Sequence, residues 1–203
     1  MKIAIIGTGN VGAALGALWS KHGHEIFYGM RDPKKGPPQP GALHGTTAEA
    51  SAFGDVILLA TPWDSTPDAI AQLGDVSGKI LIDATNPLAK DLTSLTIGRT
   101  DSAGETIARL APGARVVKCF NTLGASNFST PAFRDQLATM FLCGNDPEAK
   151  DIVSKLAEDL GFDVLDAGPI TQARVLEPLA LLWISLAYKV GLGPGIAFKV
   201  MRR

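Results

Sequence analysis

The residues whose types and spacing point most directly to chemistry stand near the start of the chain, in Gly7-Thr8-Gly9-Asn10-Val11-Gly12. A Gly-x-Gly-x-x-Gly run is weak evidence by itself, because many tight turns are glycine-rich. Here an apolar run (residues 2–6) precedes it, a helical pattern with Val11, Leu15 and Leu18 on one face follows it, and a second apolar run begins near residue 24. That order fits the βαβ unit of about 30 residues in which such a turn binds a dinucleotide pyrophosphate. Gly7 would permit the tight turn, Gly9 the approach of backbone to phosphate, and Gly12 the close packing of helix on strand. The phosphates would rest on the free N–H groups that open the helix.

A second group sets the choice of nucleotide. Dinucleotide sites that take NAD place Asp or Glu at the end of the second strand, to accept from the ribose 2′-hydroxyl. This chain has Tyr28-Gly29-Met30-Arg31 there, with Lys34 and Lys35 close behind. Cations suit a 2′-phosphate through charge-assisted hydrogen bonds, so NADP(H) is the expected cofactor. Asp32 comes one residue late and reads as a turn residue before Pro33, although it keeps NAD open as an alternative. Polar residues also follow the later apolar runs: Thr61-Pro62-Trp63, Thr85-Asn86-Pro87 and Asn121-Thr122. Ligands of open parallel sheets bind beyond the carboxyl ends of the strands, so these positions would face the cofactor. Thr85 and Asn86 could equally form only a turn, and Trp63 could be an apolar wall or surface filler.

The elements that must position these residues alternate along the chain. Short apolar runs at 2–6, 24–28, 55–60, 79–84, 115–120, 139–144 and 162–165 are separated by helical patterns, which predicts a Rossmann-type, doubly wound α/β fold with a mostly parallel sheet and helices on both faces. Helix boundaries have their own marks. Ser102 with Glu105 forms a candidate capping box, and Asn145 or Asp146 can cap a helix that has Pro147 in its first turn and Gly161 as its stop. The segment 32–41, with four prolines and two glycines, is expected to be an extended excursion. Near the end, residues 171–190 read as one helix with Val175, Leu179, Leu182 and Leu186 along an apolar face that packs on the sheet or on a partner subunit.

Bulk composition narrows the function classes. A net charge of −1 over 203 residues argues against nucleic-acid binding, and 46% hydrophobic residues can cover a wide sheet in one domain spanning 1–203. The apolar stretch 178–188 is too short to span a bilayer, and the opening segment reads as a strand rather than a secretory signal. Cys119 and Cys143 lie in strand-like runs without metal-ligand spacing, so both are expected to be buried thiols in a cytoplasmic protein. No His, Asp or Glu spacing suggests a metal. His22 and His24 flank a turn, His44 lies by the proline-rich loop, and no acid–base dyad can be assembled from them.

Taken in order, GTGNVG, YGMRDP, LLATPW, DATNP, VVKCFNT, FLCGNDPEAK and LEPLALLW resemble the family of coenzyme F420-dependent NADP oxidoreductases across nearly the whole chain. KCFNT and CGND are also similar to the NADPH-binding domain of six-transmembrane metalloreductases. The resemblance implies hydride transfer between NADP(H) and a deazaflavin (F420) or flavin-type ring (FMN or FAD), often in a homodimer. It implies roles in the pyrophosphate loop for Gly7, Thr8, Gly9, Asn10 and Val11, at the 2′-phosphate for Met30, Arg31 and Lys35, and beside the nicotinamide for Thr61, Pro62, Trp63, Asn121 and Thr122. Archaeal members often carry Ser where Met30 stands, leaving one donor fewer here. Hydride transfer to a stacked ring needs proximity more than acid or base help, so the missing dyad is consistent with it. Two alternatives stay open: reduction of a small imine or carbonyl, with Thr122 or Tyr188 as proton donor, and a non-catalytic NADP(H)-binding module.

Overall fold

The computed structural model describes residues 1–203 and organises them on one eight-stranded sheet. Its central strands are those whose sequences are apolar at nearly every residue: β1 (Lys2–Ile6), β4 (Val56–Leu59) and β5 (Ile80–Asp83) are buried on both faces, apart from Lys2 at one end, and Asp83 is their one buried charged residue. That is the pattern of a parallel sheet covered by helices on each side. The outer strands are β2 (Glu25–Gly29), β3 (Leu43–Gly45), β6 (Arg115–Cys119), β9 (Thr139–Gly144) and β10 (Asp163–Asp166), in the spatial order β10-β9-β6-β5-β4-β1-β2-β3. A separate hairpin joins β7 (Ala132–Phe133) to β8 (Gln136–Leu137). The strand direction reverses once, where β9 runs antiparallel to β6.

The helices are α1 (Asn10–Lys21), α2 (Thr47–Phe53), α3 (Thr66–Ala71), α4 (Ala103–Leu110), α5 (Pro147–Glu158) and α6 (Ala173–Ile184). From β1 the chain moves outward through β2 to β3, then returns to β4 and proceeds to β6, so the strand order switches between β1 and β4. The crevice beyond the carboxyl ends of those two strands is the position where open α/β sheets bind ligands.

Local signals account for the boundaries. Thr46 and Glu49 complete a reciprocal capping box on α2, whereas Ser102 makes only half of one on α4: it accepts from the Glu105 N–H, while its own N–H donates to Asp101. Asp146 caps α5 through the Ala149 N–H, and Asn145 instead accepts from the Ile170 N–H. The proline-rich segment is not wholly extended, because residues Pro33–Lys35 make one 3-10 turn closed by the Asp32 carboxylate. The short strand β3 follows it and was absent from the pattern of apolar runs.

The face of α6 that meets the sheet carries Ala173, Leu176, Glu177, Ala180 and Trp183, while Val175 and Leu182, read from the sequence as part of a face packing on the sheet or on a partner subunit, point away from the sheet at 61% and 48% exposure. With flanking turns the helical stretch is continuous from Ile170 to Lys189, long and apolar enough by composition to cross a membrane, unlike the shorter run read from the sequence. In this fold its inner face packs on the sheet and α4, and Glu177 sits there in a buried ionic cluster. The last residues return across the sheet: the Thr139 N–H donates to the Phe198 carbonyl and Lys199 pairs with Asp163.

Candidate active site

The turn after β1 is built as its glycines require. Gly7 has a φ of 104°, and a side chain there would stand 2.4 Å from the Ala60 carbonyl oxygen at the end of β4. At Gly12 a Cβ would lie 1.9 Å from the Gly7 carbonyl oxygen, so helix and turn touch only because Gly12 has none. Gly9 faces open space, and it caps α1 without any side-chain hydrogen bond. The first N–H groups of α1 are therefore left for a ligand, where the helix dipole favours an anion.

A cleft of about 850 Å³ runs over this turn. Gly7, Thr8, Gly9, Asn10 and Val11 form its floor, Met30, Arg31 and Lys35 one end, and Thr61, Pro62, Trp63, Thr85 and Asn86 the facing wall. Arg31 and Lys35 are exposed at the rim, whereas Lys34 does not line the cleft. Trp63 is half-buried and packs against core residues while also walling the cleft, so it is more than surface filler. Thr61 is oriented by Thr66, their hydroxyls 2.8 Å apart. Asp64, Asp68 and Gln72 also line the cleft, and the sequence offered no particular sign of them.

A second cleft, about 720 Å³, opens beside the first and shares Asn10, Val11, Ala84, Asn86, Leu88 and Leu92 with it. Asn121 belongs here rather than in the first cleft; Thr122 is buried and lines neither. Trp183, Tyr188 and Phe120 supply aromatic wall, and none of the lining residues is Asp, Glu, Lys, Arg or His. Phe120 adopts a φ of 64°, rare for a bulky residue, between Trp19 and Phe128 at ring separations of 5.6 and 6.0 Å. The strained backbone there turns the chain out of β6 directly before Asn121.

Asn121 and Asn86 hold each other across the ends of β6 and β5. Asn121 Nδ2 donates to Asn86 Oδ1 at 3.0 Å and to the Leu176 carbonyl at 3.2 Å, and Asn86 Nδ2 donates to the Asn121 carbonyl at 3.0 Å. Asn121 Oδ1 is buried without any donor, an unmet acceptor of the kind a ligand N–H would satisfy.

Beneath them lies an ionic cluster that the sequence analysis missed, although a Lys inside VVKCF and an Asp inside KILIDA were its visible marks. Lys118 Nζ is 2.6 Å from Asp83 Oδ2, 3.0 Å from Glu177 Oε1 and 2.9 Å from the Thr85 carbonyl oxygen, and all three charged side chains are essentially inaccessible. Asp83 Oδ1 accepts from both the N–H and the hydroxyl of Thr85. Glu177 accepts from the Ala103 and Gly104 N–H groups at the start of α4, which offsets part of the excess negative charge. Burial pulls the Lys118 ammonium down, but its two carboxylate neighbours outweigh that and hold it above its ordinary value. Burial dominates at Glu177 and pushes its carboxyl up, against the pull of Lys118. Burial also raises both thiols, Cys143 to about 12, so neither cysteine offers a reactive thiolate.

The family described as NADP oxidoreductase, coenzyme F420-dependent, matches residues 2–87. An Arthrobacter sp. FB24 protein, crystallised as a candidate F420-dependent NADP-reductase, superimposes over the full length of both chains with a TM-score of 0.90 and 36% identity. The chain belongs to this family of NADP oxidoreductases. A second member, the F420-dependent NADP reductase of Methanocaldococcus jannaschii, is 28% identical over 93% of each chain. The metalloreductase STEAP3 of Rattus norvegicus is 31% identical over 89% of this chain, which spans 37% of that protein's length. A reductive aminase from Aspergillus terreus, at 20% identity and a TM-score of 0.68, shares the fold alone. The family's cofactor, NADP(H), fits the residues present: an uncapped helix start, a glycine turn with no room for side chains at Gly7 and Gly12, cations at Arg31 and Lys35, and an unmet acceptor at Asn121.

Proposed function

We propose that the protein passes hydride between NADP(H) in the first cleft and a planar deazaflavin or flavin-type ring in the second. The observation that carries this reading is the shared wall: Val11, Ala84 and Asn86 border both clefts, so a dinucleotide laid from Arg31 across the glycine turn would end where the second cleft begins. The α1 N–H groups and Gly9 would seat the pyrophosphate, Arg31 and Lys35 would hold the 2′-phosphate, and Trp63 would wall the dinucleotide from the side. Asn121 would orient the carboxamide end through its free Oδ1. NADPH supplies the hydride, and the residues around the junction supply position and exclusion of water.

Reduction of a small imine or carbonyl is less well supported. It calls for a proton donor beside the acceptor; Thr122 lies outside both clefts and Tyr188, 64% exposed, is the sole acidic side chain of the second. The test is oxidation of NADPH deuterated at C4, with F420 and riboflavin offered separately under anaerobic conditions. Deuterium recovered at C5 of the reduced deazaflavin is expected, and with riboflavin, whose N5–H exchanges with water, a primary deuterium isotope effect on NADPH oxidation. NADPH that binds but is oxidised by neither ring refutes the proposal, and turnover with cyclic imines alone moves the assignment to the other reading.

A further inference from the structure

Resting on that reading, we infer that the second cleft selects an uncharged planar acceptor, a flavin or quinone ring without a phosphate or carboxylate tail. The two clefts differ sharply in charge. The first has Arg31, Lys35 and Lys90 among its walls, beside three aspartates. The second has no ionisable wall residue except Tyr188. An anion taken into it would lose hydration without meeting a counter-charge, which disfavours entry.

The surroundings reinforce this. Helix α6 and the turn that extends it to Lys189 contribute Ala180, Trp183, Ile184 and Tyr188 to the wall, and Tyr188 lies in the final turn, where a helix carries partial negative charge. Lys189, the cation in that last turn, does not line the cleft. The α1 N–H groups at the junction are committed to the dinucleotide in the proposed arrangement.

The wall suits a flat, neutral ring. Trp183 is locked by its Nε1 donating to the Ile196 carbonyl at 2.8 Å, and it lies so close to the turn at Gly124 that a Cβ there would stand 2.4 Å from the indole. Tyr188 meets Trp183 edge to face at 6.0 Å. In the transfer, the C4–H bond of the reduced nicotinamide breaks as a hydride and an N5–H bond forms on the isoalloxazine. The electron pair left on the ring system takes one proton from water, which reaches the open mouth of the cleft. The net change is NADPH, a proton and the oxidised ring to NADP+ and the dihydro ring.

Riboflavin and FMN make a matched pair, differing only in the terminal phosphate. Their binding in the presence of NADP+, followed by flavin fluorescence, and their kcat/KM at saturating NADPH are to be compared, with menadione as a neutral quinone and F420 as an anionic deazaflavin. Riboflavin is expected to exceed FMN at least tenfold in both affinity and kcat/KM, with menadione also turned over. Ser126 lines the second cleft from an exposed position, so Ser126→Lys places a cation in the wall and should narrow or reverse the preference without changing the Kd for NADPH. FMN or F420 equal to or better than riboflavin in the unmodified protein overturns this inference and leaves the proposed function standing. NADPH binding with no flavin, quinone or deazaflavin reduced overturns both.

Discussion

Replacing Lys118 by Met would keep most of the side chain's volume while removing the cation from between Asp83 and Glu177. Two carboxylates would then share a site with no accessible surface, and the Thr85 carbonyl would lose its donor. Breaking a buried ion pair by deleting one partner costs about 3–5 kcal/mol. Since 1 kcal/mol shifts Tm by about 2–4 °C in a chain of this size, the expected fall is about 6–20 °C at neutral pH. The cost must also depend on pH in a defined direction. Burial already raises the Glu177 carboxyl, and losing Lys118 raises it further. A carboxyl with a raised folded pKa favours the native state at acid pH and loses that contribution as pH rises from its unfolded value, 4.5, through the folded one. Protonated Glu177 would no longer repel Asp83, so the deficit of Lys118→Met should shrink by roughly half when pH is lowered from about 7.5 to about 5. Thermal unfolding followed by far-UV circular dichroism at the two pH values measures it. A fall below about 3 °C at neutral pH, or an equal fall at both, would refute the view that this cluster is a paired and fully desolvated charge site.

Three further outcomes test the site and its frame. Arg31→Ala should weaken NADPH binding by about 10- to 100-fold, the worth of a charge-assisted hydrogen bond, and leave NADH within about twofold in calorimetry; equal losses for both nucleotides would remove Arg31 from the 2′-phosphate. Gly12→Ala drives a Cβ to 1.9 Å from the Gly7 carbonyl oxygen, so it should destabilise by about 1–3 kcal/mol in urea and weaken NADPH at least tenfold, whereas a wild-type Kd would show that the turn and helix need not touch. Hydrogen bonding to Arg174 holds the Glu105 carboxyl below 4.5, so its contribution to stability is present above that pH and lost as pH falls through the folded value. Glu105→Gln should flatten the acid limb of a stability–pH profile, and an unchanged limb would assign acid unfolding to other carboxylates.

Short-range order was legible where a single element declares its own environment. Strands β1, β4 and β5 are apolar at nearly every position because both faces are covered, and the run of residues shows that without reference to anything else. The first cleft was legible for a related reason: its floor is one continuous turn, and its walls are the residues that follow successive strands. What depended on which face of an element meets which neighbour was harder to read. Helix α6 has only Arg174 and Glu177 as charged residues, so Val175 and Leu182 look as suited to burial as Leu176 and Trp183, and only packing distinguishes them. The reversal of β9 depends on its long-range pairing with β6 and leaves no local mark, and β3 has three residues at an edge. The second cleft draws on segments near residues 10, 86, 121 and 183, none of which carries a motif for it. Its absence of charge is nevertheless a property of the sequence once the fold brings those segments together, which is why acceptor choice becomes arguable only after the topology is known.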